Sequence, residues 1–425
     1  HDAGEADVRK QIEQGGEQFA EGGRSALQAR CVQLARMGCV AFLYDMIGYA
    51  DSAQISFEVA HAFAHQRPEM NTLTDWGLYS PQAESHCQSV MGLQTWNSIR
   101  ALDFLSALPG VDTSRLAVTG ASGGGTQTFI LCAVDPRPAL AFPAVMVSTA
   151  MQGGCTCENA CGLRVGTGNV ELAALFAPKP LGVTSANDWT RDVATKGFPE
   201  LRQLYALLGA EDNVMLWRGE RFDHNYNSLS RHAFYHWINR HFQLGLEEPI
   251  KERDYIPLSR EEATVWDAAH PAPKGGEDVE RKLLRHMTDD AERQLLQASA
   301  SGPEFRALCG PGWEAVVGRT LLDVGPVTWD ETGRLDAGLY RASTGLLRHV
   351  QANECVPTVM LTPARANGRV VVWLTPSGKA GLFVEDDGTP VSGWVPVPQV
   401  EKLLGKGFTV VGVDLLYQGE FLATG

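Results

Sequence analysis

No stretch of 18 or more apolar residues occurs in the chain, so no segment spans a bilayer as a helix. A basic excess is missing as well: 36 lysines and arginines face 50 acidic residues, a formal charge of −14. That balance gives no electrostatic footprint for nucleic acid and disfavours an anionic membrane surface. Neither G-x-G-x-x-G nor a Walker pattern is present, which leaves nucleotide cofactors without a motif. Cysteine is scarce and odd in number, nine in 425 residues, which excludes a small disulfide framework. The tight group Cys155, Cys157 and Cys161 could hold one disulfide or simply pack as small residues. Its C-x-C-x3-C spacing is not the usual zinc pattern and no neighbouring histidine completes it, so neither a metal nor another cofactor is expected.

What remains is ordinary globular material, 44% hydrophobic and 20% charged. The length is about three times that of a usual domain. An internal repeat suggests how it divides. Leu34, Gly38 and Asp45 align with Leu403, Gly407 and Asp414 at one shift, 369 positions. In both copies a helix ends at glycine, a short apolar run follows, and an aspartate stands at the end of that run. Such a pattern arises by chance in α/β proteins; the alternative is two tandem copies of one domain. The chain opens on His1 without Met and stops at Gly425 just after a strand-like run, and both ends read as cut. The expectation is therefore a domain at 1–248 lacking its first strands, a connecting segment at 249–312, and the start of a second such domain at 313–425.

Periodicity within 1–248 alternates. An early strand runs to Tyr44 and a helix covers 88–108. Leu116–Thr119 is a strand, 126–134 a helix, 139–147 a strand despite Pro143, and 180–184 a strand. Leu201–Leu208 is helical, 213–217 is the last strand, and a helix over 230–242 closes the unit. Strands alternating with helices imply a mostly parallel sheet covered on both faces, the α/β class. Val370–Leu374 reads as a central strand of the second unit. The insertion Ala53–Cys87 is either a lid over a site or a surface excursion with its own small core.

Gly120-Ala-Ser122-Gly-Gly124 matches G-x-S-x-G and lies between a strand and a helix, where a nucleophile on a tight turn is needed. The bland reading is a glycine-rich turn. Serine needs a base held by a third group, and in this arrangement the acid and then the histidine follow it in sequence. His224, in the loop after the last strand, is the candidate base; His232, His236 and His241 fall on the closing helix. Asp188, in the loop after the preceding strand, is the candidate acid, with Asp192, Asp223 and Glu211 as rivals. The backbone N–H of Gly123 is one oxyanion donor. A second would come from an earlier loop, of which residues 1–4 are the expected tail.

The motifs Gln33–Gly38, Tyr44–Ser52, Gly120–Gly124, Ala186–Thr190 and His224–Asn227 together resemble the bacterial α/β-hydrolases grouped near acetyl xylan esterases. The resemblance covers residues 1–248, and 313–425 more weakly. It implies an α/β-hydrolase fold, Ser122 as nucleophile, His224 as base and Asp188 as acid. A plant-glycan ester such as acetylated xylan is the implied substrate, and export from the cytoplasm is the implied location. Alternatives are a peptidase or dienelactone-type hydrolase, or a non-catalytic carbohydrate-binding module on the same fold.

Overall fold

A computed structural model describes residues 4–61, 67–320, 324–384 and 395–422. The chain forms two compact units, His1–Phe305 and Arg306–Gly425. In the first, α1 (Ala26–Arg36) and α2 (Val90–Ala107) lead into β1 (Ala117–Ala121), α3 (Gly123–Val134), β2 (Leu140–Ala144), α4 (Asn169–Ala174), β3 (Leu181–Ala186), α5 (Phe198–Leu207), β4 (Val214–Gly219), α6 (Ser228–Phe242) and α7 (Glu277–Ala298).

The four strands pair in sequence order, all parallel. Parallel neighbours need a crossover between them, which here carries α3, α4 and α5. Two cores cover the two faces. Ala141, Leu181 and Val183 pack with Phe129, Ile130, Leu201 and Tyr205 on one side. Leu140, Phe142 and Ala144 pack with Phe234, Trp237, Ile238 and Met37 on the other. The period-two alternation along β2 is what divides its residues between those faces.

Pro143 sits inside this sheet at a defined cost. Ala141 N–H donates to Pro180 O at 3.0 Å and Val145 N–H to Thr184 O at 3.2 Å. The donor that proline lacks would therefore have faced β3, and the β2–β3 pairing is sparse there.

The expected strand ending at Tyr44 is not formed. Residues 39–46 carry no regular structure and join no strand, and Val40, Phe42 and Leu43 are exposed. Apolar residues write a strand-like pattern, but a strand exists only where a neighbour takes its ladder bonds. Asp45 is likewise exposed, accepting from the Asp51 N–H at 3.1 Å.

The unit also extends past 248. Arg231, wholly buried on α6, is held by Glu17 at 2.8 Å and by Glu252 at 2.7 Å, and Tyr235 donates to Glu252 at 2.6 Å. Further on, Glu280 of α7 takes a bidentate pair from Arg67 and the Leu78 N–H, and Leu284 enters a core with Trp76, Leu78 and Cys157. Residues 249–305 thus fall within the first compact unit, anchored on its surface through Glu252, Glu280 and Leu284. The insertion does have its own small core, and α7 helps to build it.

The second unit holds β5 (Thr328–Asp336), β6 (Tyr340–His349), β7 (Glu354–Pro363), β8 (Val370–Trp373), α8 (Pro398–Gly405) and β9 (Thr409–Val413), paired in the order β5-β6-β7-β9-β8. β8 is parallel to β9 and stands at the edge, not the centre, with Val370 60% and Val372 61% exposed. The repeat keeps its backbone: Gly38 and Gly407 end their helices at φ of +85° and +86°. Its aspartates differ, because Asp414 is fully buried and bound by Lys379 Nζ and by the Lys379 and Glu420 amides.

Replacing Arg231 by Met should leave two buried carboxylates facing each other. The expected loss is about 3–5 kcal/mol, read from the urea midpoint of unfolding at neutral pH.

Candidate active site

Ser122 stands where β1 ends and α3 begins, with φ +57° and ψ −123°. Such angles are costly for a residue with a side chain and persist only where the surroundings impose them. Here the imposition is steric. A Cβ on Gly120 would lie 2.5 Å from the Gly124 carbonyl oxygen, and one on Gly125 would lie 2.8 Å from the Met146 Cβ. A Cβ on Gly124 would meet open space, so the second glycine of the motif contributes its close backbone and the one after it supplies the missing side chain. Ser122 occupies the N-cap position, yet its hydroxyl caps nothing; its backbone N–H donates to Ala144 O at 3.1 Å instead. A serine at this position usually spends its oxygen on a helix amide. Gly123 opens the helix, among the first four amides that have no partner within it.

His224 and Asp188 come together. The histidine Nδ1 lies 2.6 Å from Asp188 Oδ2, while Asp188 Oδ1 accepts from Thr190 N–H at 2.7 Å and Thr190 Oγ1–H at 2.5 Å. The Asp188 side chain is 5% exposed and that of His224 33%. Burial would raise the Asp188 carboxyl, but the bonds from His224 and Thr190 outweigh it and hold the group below the usual carboxylate range. With Nδ1 bound to a carboxylate, Nε2 is the lone pair left to accept a proton. Trp189 lies against the imidazole at 4.5 Å between ring centres.

The rivals are elsewhere. Asp192 faces Lys196, Glu211 is exposed, and Asp223 takes a weak bond from Asn187. His232 binds Ser228 O, His236 faces Glu248 and His241 packs on Trp237. Ser122, Asp188 and His224 all stand at or just past the carboxyl ends of strands of one parallel sheet, β1, β3 and β4. Among the described residues no hydrogen bond joins Ser122 Oγ to His224. Residues 1–3, part of the expected tail of the loop that would supply a second oxyanion donor, lie outside those described.

Two residues join this group that sequence reasoning did not single out. Glu158 is buried in the loop after β2, its Oε1 3.4 Å from where a Cβ on Gly123 would sit, and His224 is among the groups that favour its ionised form. Burial pushes its carboxyl up, against the Gly154 N–H bound at 2.7 Å. Glu158 thus lies against the Ser122 turn. Tyr226 is buried two residues after His224, and its hydroxyl is 2.7 Å from Thr119 Oγ1, which donates to Phe142 O. That bond ties the histidine loop to the strand that carries Ser122. No spacing rule marks either residue: one lies in a cysteine-rich loop, the other in a run of polar residues.

Of the two arms expected for the cysteine group, packing is the one formed, with Cys157 buried in a core beside Trp76 and Leu78 and Cys155 packed against it. Among the described residues no disulfide is formed. Cys161 turns towards Glu84 and Cys87, while Cys155 and Cys157 meet His61.

A parallel sheet covered on both faces, with a strained serine turn after β1 and a carboxylate–histidine pair after β3 and β4, defines an α/β-hydrolase fold. Residues 37–160 match the family model described as "Glucuronyl esterase, fungi", a span that includes Ser122, Gly123 and Glu158 but ends before Asp188 and His224. Similar solved structures include "Methylesterase BT1017", 27% identical with TM-score 0.44, covering 64% of this chain and 56% of that one. A carbohydrate esterase family 15 glucuronoyl esterase from Caldicellulosiruptor kristjansonii is 19% identical with TM-score 0.31, covering 44% and 58%. The glucuronoyl esterase catalytic domain from Hypocrea jecorina is 17% identical with TM-score 0.34, covering 49% and 68%. The chain thus spans little more than half the length of the first two, 56% and 58%. No curated protein matches it.

Because burial raises the Glu158 carboxyl, its ionised form costs stability. The sign follows: the wild type is favoured below the ordinary glutamate range and loses that advantage as pH rises through the higher folded value. Glu158→Gln should therefore gain melting temperature relative to wild type at pH 7 compared with pH 4.5; an unchanged difference between the two would contradict the assignment.

Proposed function

We propose that the protein is a serine carboxylic-ester hydrolase acting on a carbohydrate ester. The observation that carries this is the Asp188–His224 pair at 2.6 Å on the same sheet edge as the strained, uncapped Ser122. Ser122 Oγ attacks the ester carbonyl while His224 Nε2 takes its proton, and Asp188 holds the imidazolium that results. The Gly123 N–H at the start of α3 faces the developing oxyanion, where the helix end favours negative charge. His224 then protonates the leaving alcohol, and water releases the acyl group from Ser122 by the same steps in reverse.

The substrate reading rests on the match of residues 37–160 to a glucuronyl esterase model. It makes the acid half of the ester a sugar uronate and the leaving group an alcohol. Acetylated xylan, implied by the sequence resemblance, puts the sugar on the alcohol side instead and is the second reading. Export and a tandem arrangement belong to the same proposal; the shared helix–glycine geometry at Gly38 and Gly407 supports the latter.

Hydrolysis of a methyl glucuronate ester and of acetylated xylo-oligosaccharide, assayed side by side, separates the two. Ser122→Ala should abolish turnover and labelling by a fluorophosphonate; unchanged behaviour would favour the non-catalytic module. Asp188→Asn should lower kcat by about 10³–10⁴-fold through the wrong imidazole tautomer.

Tyr226→Phe should lower kcat several-fold with little change in KM, because it loosens the histidine loop without touching substrate. Steady-state kinetics on the better of the two esters checks this, and a loss confined to KM would refute the positioning role.

A further inference from the structure

Beside the serine turn, His61, Cys155 and Cys157 bring one donor atom each to within 4.8 Å of one another. Cys155 Sγ lies 3.5 Å from His61 Nδ1. The other ring nitrogen, Nε2, lies 2.7 Å from the Ile47 carbonyl oxygen, which can only accept. The ring proton is therefore on Nε2, and Nδ1 presents its lone pair to the sulfur side. A histidine fixed through its far N–H to a backbone carbonyl is how proteins orient an imidazole towards a metal. His61 and Cys157 are both buried, and Tyr49 and Phe57 pack on the imidazole at 4.5 and 5.0 Å between ring centres.

We propose that His61, Cys155 and Cys157 bind one soft d10 cation, zinc in the first instance, with the fourth position left to water. Two sulfurs and an imidazole select zinc or copper(I) over magnesium or calcium, which take oxygen. Tetrahedral zinc places such donors about 3.5–3.8 Å apart, a spacing the His61–Cys155 pair already has. On binding, each thiol releases its proton to solvent and its sulfur donates the electron pair to the metal, with no redox change. The sequence hid this group because the histidine stands 94 positions before Cys155, on the insertion rather than in the cysteine loop.

The location gives the ion a task. Cys157 Sγ lies 3.9 Å from where a Cβ on Gly123 would sit, and the next residue is Glu158. A metal here would fasten the insertion and the loop after β2 to each other, beside the first amide of α3. It works as a clamp on the wall of the site and takes no part in the ester chemistry, so it stands or falls independently of the reaction proposed above.

The test uses the whole chain, reduced, treated with chelator and titrated with cobalt(II). One equivalent should give sulfur-to-cobalt charge transfer and the visible bands of a tetrahedral site, both removed by excess zinc. His61→Ala and Cys157→Ser should weaken binding about a hundredfold or more. His61→Cys keeps a soft donor and should keep the bands, which guards against loss through misfolding. Cys161→Ser and Cys87→Ser should bind as the parent does. Absence of charge transfer in the parent, bands that survive His61→Ala undiminished, or bands lost in Cys161→Ser would each overturn the proposal.

Discussion

The structure turns on how little room the chain has between β1 and α3. Helix and strand can approach only if Gly120 and Gly125 lack side chains, and once they have approached, Ser122 is forced to positive φ. Strain of this kind costs on the order of 1–3 kcal/mol and needs a rigid frame to support it. The frame is the buried sheet, with β2 and β3 covered by apolar residues on both faces. Because the backbone is held this way, the serine oxygen is released from capping and left over the sheet edge. The same edge receives Asp188 and His224, so a single steric constraint and a parallel sheet account for the placement of all three.

Much of this was legible beforehand because it is written in local patterns. Alternation of strands and helices along 88–242 is a matter of hydrophobic period, and each element there forms within a few residues of its expected bounds. Glycine spacing around Ser122, and the order serine, aspartate, histidine, are likewise linear signals. Asp188 could be preferred to Asp223 because the end of a strand fixes where a side chain can reach. What the sequence did not disclose depends on the third dimension. Residues 39–44 have the composition of a strand but no pairing neighbour, and Val370–Trp373 has that of a central strand but lies at an edge. Apolar composition there reports neither pairing nor burial, since Val40, Phe42, Leu43, Val370 and Val372 are all exposed.

Glu158, Tyr226 and Glu252 illustrate another limit. Each is a polar residue whose role is set by a partner far off in sequence: Gly123 and His224, Thr119, and Arg231. Local spacing carries no trace of such pairings. Glu252 matters most for domain organisation, since a Pro- and charge-rich stretch that reads as a connector is bound to the core by a buried guanidinium. A segment's hydrophilic composition says that it meets water somewhere, not that it is loose.

Pro143 has a further consequence. It removes one rung from the ladder between β2 and β3, and that interval divides the nucleophile's strand pair from the strands carrying the carboxylate and imidazole. Sliding the two halves past each other there breaks one hydrogen bond fewer than elsewhere, a saving of about 1 kcal/mol. The reacting groups are therefore assembled across this thinner interval, with Ser122 on the β1–β2 side and Asp188 and His224 on the β3–β4 side.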